Sequence, residues 1–358
     1  MKRLNRVSQV LKSKNLDAFI VTNPFNVLYL SGFKGISPTE REAILIFAPK
    51  PNLITAKLYQ AEAQKVASKD LKVKIARERG EIENFIKKLF KKANRIGFEA
   101  HNLTVAELKR YKKYAPHAKF IETQNEIENL RLIKTAEEVK KIEKAQIISQ
   151  QAFDQIIKTL RAGQSEEEIA ERLERIMKTL GGEGLAFVTI IASGPNASLP
   201  HHQTGKRRIA KGEVLLFDFG AKYQNYCADL SRTIFIGSAK DEHKNIYNHV
   251  LKAQRKAIEK VTHGIKSHLA FDAANDIFKE NNLEEYFIHG LGHGIGLEVH
   301  EAPHVRSKIK DQLTENMVFS IEPGLYMDWG GVRIEDLVTI KNGKARVLGK
   351  QVEGLIEV

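Results

Sequence analysis

The chain has 358 residues, 42% of them apolar, with a formal net charge of +13 and one cysteine, Cys227. This size and apolar share fit a globular protein of about two domains; a lone cysteine excludes an intrachain disulfide, and no run reaches the ~18 apolar residues of a membrane span. The charge is uneven: residues 1–130 carry 25 Lys and Arg against 13 Asp and Glu, net +12, whereas residues 131–358 sum to only +1.

In chain order, Leu4, Val7, Val10 and Leu11 predict a short first helix. The apolar run that follows, Leu16 to Val21 with Asp17 inside it, is too short for a signal peptide, so a reducing cytoplasm is the expected compartment. Apolar runs at 18–22, 27–33, 43–49 and 52–56 predict strands, and 57–67 and 81–93 predict helices, which together make a small α/β domain. Its "KKLFKKANR" (87–95) lacks the arginine–aromatic interleaving of a base-stacking surface, so a solvated lysine face is expected there and nucleic acid is not. Residues 122–134 read as a connector, giving domains of 1–128 and 129–358. Thr135 with Glu138, and Ser165 with Glu168, form capping boxes that open two helices, the second ending at Gly181-Gly182. Amphipathic helices fit 241–261 and 267–280. With the hairpin patterns around them, the second domain reads as α+β.

Two hairpins carry the chemistry. "VLLFDFGAKYQNYCADLSRTIFIG" (214–237) folds about Tyr223-Gln224 and sets Asp218 opposite Asp229. Carboxylates facing across strands repel unless a cation lies between them. "VFSIEPGLYMDWGGVRIEDLVTI" (318–340) turns near 328–331 and pairs Glu322 with Glu335, with Pro323-Gly324 interrupting its first strand. These four carboxylates lack a nitrogen donor. "HGLGHGIGLEVHE" (289–301) supplies histidines among glycines too numerous for a helix. One of them would complete a mixed oxygen-and-nitrogen site for two divalent cations, which suits Mn, Co, Fe or Zn better than Ca or Mg because of the imidazole.

At this point the sequence resembles the pita-bread metallopeptidases, in particular the proline peptidases, through "FDFG…ADLSRT", "HGLGHGIGLEVHE", "SIEPGLY", "GVRIED" and "SGPNASLPHH" (193–202). The resemblance spans the whole chain and implies a creatinase-like N-terminal domain before a pita-bread catalytic domain. It implies two metal ions held by Asp218, Asp229, His293, Glu322 and Glu335, with Glu322 also shuttling protons. It further implies substrate-pocket roles for His201, His289 and His300, support from Arg333, proline-containing peptides as substrates, and a homodimer. The interval from Glu322 to Glu335 is one residue shorter than is common in the family. A second departure is "HEAPHVR". Prolidases of this group often carry an arginine right after H-E-x-P, able to hold a dipeptide's carboxylate; His304 stands there instead, with Arg306 two positions on. Since a histidine is mostly neutral at pH 7.5, the expectation is an aminopeptidase P-like preference for Xaa-Pro-Yaa, with Xaa-Pro dipeptidase as the alternative.

Other readings are weaker. "HEAPH" (300–304) matches the H-E-x-x-H zincin pattern, but Pro303 lies inside it and the approach is strand-like. "DFG" (218–220) has none of the companion motifs of a kinase. Non-catalytic relatives that use a basic N-domain for binding usually lose metal ligands, and creatinases dispense with metal; this chain keeps all five ligand positions. His202 reads as no more than a neighbour of His201.

Overall fold

Four consecutive fully buried residues, Ala18–Val21, form the strand around which the first sheet is built. In the computed structural model, which describes residues 2–35, 37 and 40–358, this sheet belongs to the first of two units, Met1–Arg131 and Leu132–Val358. Its six strands run Lys72–Ala76, Pro51–Ala56, Ala43–Phe47, Ala18–Val21, Arg95–Glu99, Lys119–Thr123. The central strand pairs antiparallel with Ala43–Phe47 and parallel with Arg95–Glu99, so the unit is a mixed α/β layer.

One predicted strand is a helix. Residues 27–33 lie mostly in the helix Pro24–Ser31. Asn23 caps it by accepting from the backbone N–H groups of Phe25 and Asn26, Pro24 fills the first turn, and Gly32 ends it at φ +79°. Val27, Leu28, Tyr29 and Leu30 are all buried, so the apolar run has no polar face to betray its period. The predicted connector, 122–134, likewise begins on the last two residues of the strand Lys119–Thr123 and contains a short helix, Glu128–Leu132.

In the second unit both capping boxes form as expected and open Ala136–Ile156 and Glu166–Thr179. A three-stranded sheet runs Leu230–Phe235, Val214–Phe219, Ile190–Ser193. It is buried on both faces: Leu215, Phe217 and Phe219 pack toward Phe153, Ile156 and Leu173 of that helix pair. Val214 and Leu216 pack into a second core with Tyr247 and Val250 of Asp241–Lys260 and Phe278 of His268–Lys279. A five-stranded sheet, Glu301–Val305, Gly292–Gly294, Val318–Ile321, Asp336–Lys341, Lys344–Val347, contributes Phe319, Ile321, Val338 and Ile340 to this second core. The result is the expected α+β architecture.

The first hairpin turns one residue later than its sequence suggests. Gln224 (φ 48°) and Asn225 (φ 68°) both adopt the left-handed conformation of a primed turn. Tyr223 therefore faces Tyr226, and Asp218 faces Ser231, not Asp229. The ladder slips by two positions, which preserves the faces, so Asp218 and Asp229 become diagonal neighbours on one side. The second hairpin keeps the expected register: Ile321 faces Asp336 and Gly324 faces Arg333, with the ladder interrupted between them at Pro323.

Candidate active site and metal centre

The two sheets bring their strand ends to one cavity of about 640 Å³. All nine residues singled out in the sequence line it: His201, Asp218, Asp229, His289, His293, His300, Glu322, Arg333 and Glu335. His304 and Arg306 line it too. His304 sits in the strand Glu301–Val305 opposite His293, so "HEAPH" is extended and has no helical face on which a zincin pair could form.

His293 stands between two glycines that the packing requires. A Cβ at Gly292 would come within 2.0 Å of the Ser320 carbonyl oxygen, and one at Gly294 within 2.0 Å of the Ala302 carbonyl oxygen. The strand is thus pressed backbone to backbone against both neighbours. His293 Nδ1 donates to the Gly294 carbonyl at 3.1 Å, which aims Nε2 into the cavity. Nε2 lies 3.3 Å from Glu322 Oε1 and 3.5 Å from Asp229 Oδ2.

Ligand atoms of Asp229, His293 and Glu335 all fall within 4.8 Å of one another. Asp229 and Glu335 are buried, and burial together with neighbouring carboxylates pushes both well above the usual carboxylate range; burial likewise raises Asp218. Glu335 Oε1 is buried and has no hydrogen-bond partner among the described residues. His293 is raised to about 9: burial alone would lower it, but Glu322 outweighs burial, and Glu322 itself is held down to about 2 by His293 against its own burial. Crowded buried carboxylates and an orphaned oxygen favour positive charge at one point, and the raised His293 answers the same need with a proton held by Glu322. The donor set fits divalent cations with mixed oxygen and nitrogen ligation.

The resemblance implied support from Arg333; the partners through which that support runs were not visible in the sequence. Arg333 donates from Nη2 to Asp218 Oδ2 at 2.6 Å, from Nε to Ser231 Oγ at 2.8 Å and from Nη1 to the Tyr326 hydroxyl at 2.8 Å. Ser231 Oγ donates to Glu335 Oε2 at 2.8 Å. Ser320 Oγ accepts from the His293 backbone N–H and donates to Glu322 Oε1, each at 3.0 Å. His289 Nδ1 donates to the Gly290 carbonyl at 2.7 Å, so Nε2 accepts from the Tyr326 hydroxyl at 2.9 Å. Ser231, Ser320 and Tyr326 have no pattern of their own that marks them. Their sequence signal is that Ser231 lies within "ADLSRT" and Ser320 and Tyr326 within "SIEPGLY".

Comparison with known proteins agrees with this geometry. The model of Metallopeptidase family M24 matches residues 140–342, and that of the Creatinase/Prolidase N-terminal domain matches residues 3–133. The chain is 35% identical over 356 residues to an Xaa-Pro dipeptidase of Pyrococcus furiosus, covering 99% of each. An Xaa-Pro dipeptidase structure from Bacillus anthracis superposes with a TM-score of 0.94 at 32% identity, covering 100% of this chain and 99% of that one. An X-Pro aminopeptidase structure from Thermotoga maritima gives 0.88 at 34% identity, covering 96% and 98%.

Proposed function

The chain belongs to metallopeptidase family M24, and from that premise we propose that it is an Xaa-Pro dipeptidase, hydrolysing the bond before a C-terminal proline. This replaces the aminopeptidase P-like preference expected from His304. That expectation gave the arginine position to His304 and left open that Arg306, an even number of positions on, could face the same way and compensate. The observation that carries the new reading is Arg306, which lines the same cavity as the nine site residues. A guanidinium keeps its charge at any working pH and binds a carboxylate with two donors. The similarity to dipeptidases over nearly the full length supports the same choice.

Asp218, Asp229, His293, Glu322 and Glu335 would hold two divalent cations; the mixed donors suit Mn, Co, Zn or Fe over Ca or Mg, with Mn or Co the expected pair. When bound, such ions lower the pKa of a water and polarise a carbonyl. The side chains do the rest. Glu322, oriented by Ser320, takes a proton from the attacking water and passes it to the proline nitrogen that leaves. His300, its ring centroid 4.3 Å from that of His293, is lowered by burial and is neutral near pH 7; its N–H donates to the carbonyl oxygen as charge develops there. The Xaa-Pro bond has no N–H for a backbone grip, so shape and the end carboxylate must supply recognition. His201 and His289 line the pocket for that purpose, and Arg306 meets the carboxylate.

The test is the ratio of kcat/KM for a matched Xaa-Pro dipeptide and Xaa-Pro-Yaa tripeptide at pH 7.5, after metal removal and restoration with Mn or Co. The dipeptide should be preferred about tenfold or more. A tripeptide preference would return the enzyme to the aminopeptidase class.

A further inference from the structure

His201 lines the cavity, yet no described residue hydrogen-bonds its ring. Its placement therefore depends on the backbone that carries it. That backbone, 193–207, is gathered onto one side chain. Glu166, the first residue of the helix Glu166–Thr179, is fully buried. Its Oε1 accepts from the Ser193 N–H at 2.8 Å, the Ser193 hydroxyl at 2.7 Å and Asn196 Nδ2 at 2.9 Å. Its Oε2 accepts from His202 Nε2 at 2.9 Å and from the Gly205 N–H at 3.3 Å. The helix start adds two backbone bonds, Glu166 N–H to the Arg207 carbonyl and Glu167 N–H to the Gly205 carbonyl, each at 3.0 Å. The carboxylate also sits at the positive end of the helix, where negative charge is favoured.

We propose that Glu166 is a positioning residue for His201, acting through His202 and the 193–205 segment. His202 is then the inward half of a two-histidine device: one imidazole is tied to the interior and its neighbour is thereby aimed into the cavity. The five bonds meet at one carboxylate, so loss of its charge or its second oxygen releases both ends of the segment together. None of the five bonds at Glu166 reaches a candidate metal ligand; the segment meets that set through Arg333, whose Nη1 donates to the Pro200 carbonyl at 3.5 Å and whose Nη2 donates to Asp218, so the effect should fall on His201 more than on metal content. The inference rests on the peptidase reading for its kinetic arm only.

The experiment uses Glu166→Gln, His201→Ala and their double variant in the metal-loaded enzyme, with His202→Asn as a milder second probe should Glu166→Gln fold poorly. Glu166→Gln should lower kcat/KM for an Xaa-Pro dipeptide on the order of tenfold or more, in line with a small misplacement of a pocket group. In the His201→Ala background the same change should cost less than about twofold, because the group being aimed is gone. Equal losses in both backgrounds, or no loss in wild type, would overturn the proposal. A second readout needs no substrate: with histidines labelled at Cε1, the His201 resonance, assigned by its absence in His201→Ala, should move or broaden in Glu166→Gln and in His202→Asn. An unmoved His201 signal also overturns it. If His201→Ala leaves Xaa-Pro cleavage intact while the resonance moves, the peptidase role of His201 fails and the positioning claim stands.

Discussion

Ser231 and Glu335 lie 104 residues apart in the chain, and the Ser231 hydroxyl donates to Glu335 Oε2 at 2.8 Å. The same hydroxyl accepts from Arg333 Nε, so its direction is fixed. Glu335 Oε1 is left over, buried and without a hydrogen-bond partner among the described residues. Ser231 therefore acts as the hinge pin of a ligand it does not resemble chemically. Ser231→Ala should weaken metal affinity by about 10–100-fold, the usual effect of removing an outer partner, without unfolding the chain. Metal titration with circular dichroism as the fold control tests this; unchanged affinity would remove Ser231 from the metal centre.

Asp229 and Glu335 should show opposite effects with and without metal. In metal-free protein burial raises both above the usual carboxylate range, and neighbouring carboxylates add to it: Glu335 and Asp218 at Asp229, Glu322 and Asp218 at Glu335. Asp229→Asn should therefore raise the melting temperature in chelator. In metal it should lose bound ion and cut turnover on the order of 100-fold or more, a larger effect than an outer-partner change. Elemental analysis and paired melting curves are the measurements. Wild-type metal content in both Asp229→Asn and Glu335→Gln would argue against shared ligation.

Arg306 and His304 can be told apart by substrate. Arg306→Ala should reduce kcat/KM on an Xaa-Pro dipeptide by roughly 10–100-fold, the worth of a charge-assisted hydrogen bond, and barely affect the corresponding C-terminal amide. His304→Ala should have a smaller effect at pH 7.5. The result that would reverse this assignment is a large His304→Ala loss with Arg306→Ala near wild type.

Glu99 makes the first unit sensitive to pH. Its carboxyl is buried and, despite bonds from the Thr22 and Asn23 N–H groups and from Asn26, burial raises it to about 7. The unfolded chain releases this proton near the ordinary glutamate value, about 4.3, while the folded chain holds it until about 7. Stability is thus fully present below the lower value and is lost as pH rises between the two, by roughly 3 kcal/mol in the limit. Glu99→Gln should flatten that dependence. Denaturant melts at pH 5 and pH 8 decide it: an equal pH slope in both proteins would show that Glu99 is not its source.

What could be read from the sequence follows the range of each interaction. Capping boxes at Thr135 and Ser165 span three residues and form as read. The register of 318–340 also emerged correctly because Pro323 and the glycines at 330 and 331 mark its break and turn. The 214–237 register was misread by one residue at the turn, since Gln224-Asn225 lacks the glycine that usually marks left-handed positions. The helix at 24–31 was missed because its burial erases periodicity, although Asn23, Pro24 and Gly32 bracketed it. The nine site residues were legible through their motifs. Ser231, Tyr326 and Glu166 were not, because each acts on partners that only the fold brings near.

The glycines beside His293 set a boundary on how this enzyme can change. At 292 and 294 even one added carbon would strike a carbonyl oxygen, so that part of the cavity wall is written in main chain and offers no side chain to exchange. A saturation library across 289–301 should therefore come back depleted at those two codons whatever the selection. New substrate preferences would be sought at lining residues outside 289–301 and outside the carboxylate set, such as Phe187, Val188 and Arg306. Val188, 82% exposed, has room to grow. Adaptability and catalysis are thereby assigned to different stretches of chain.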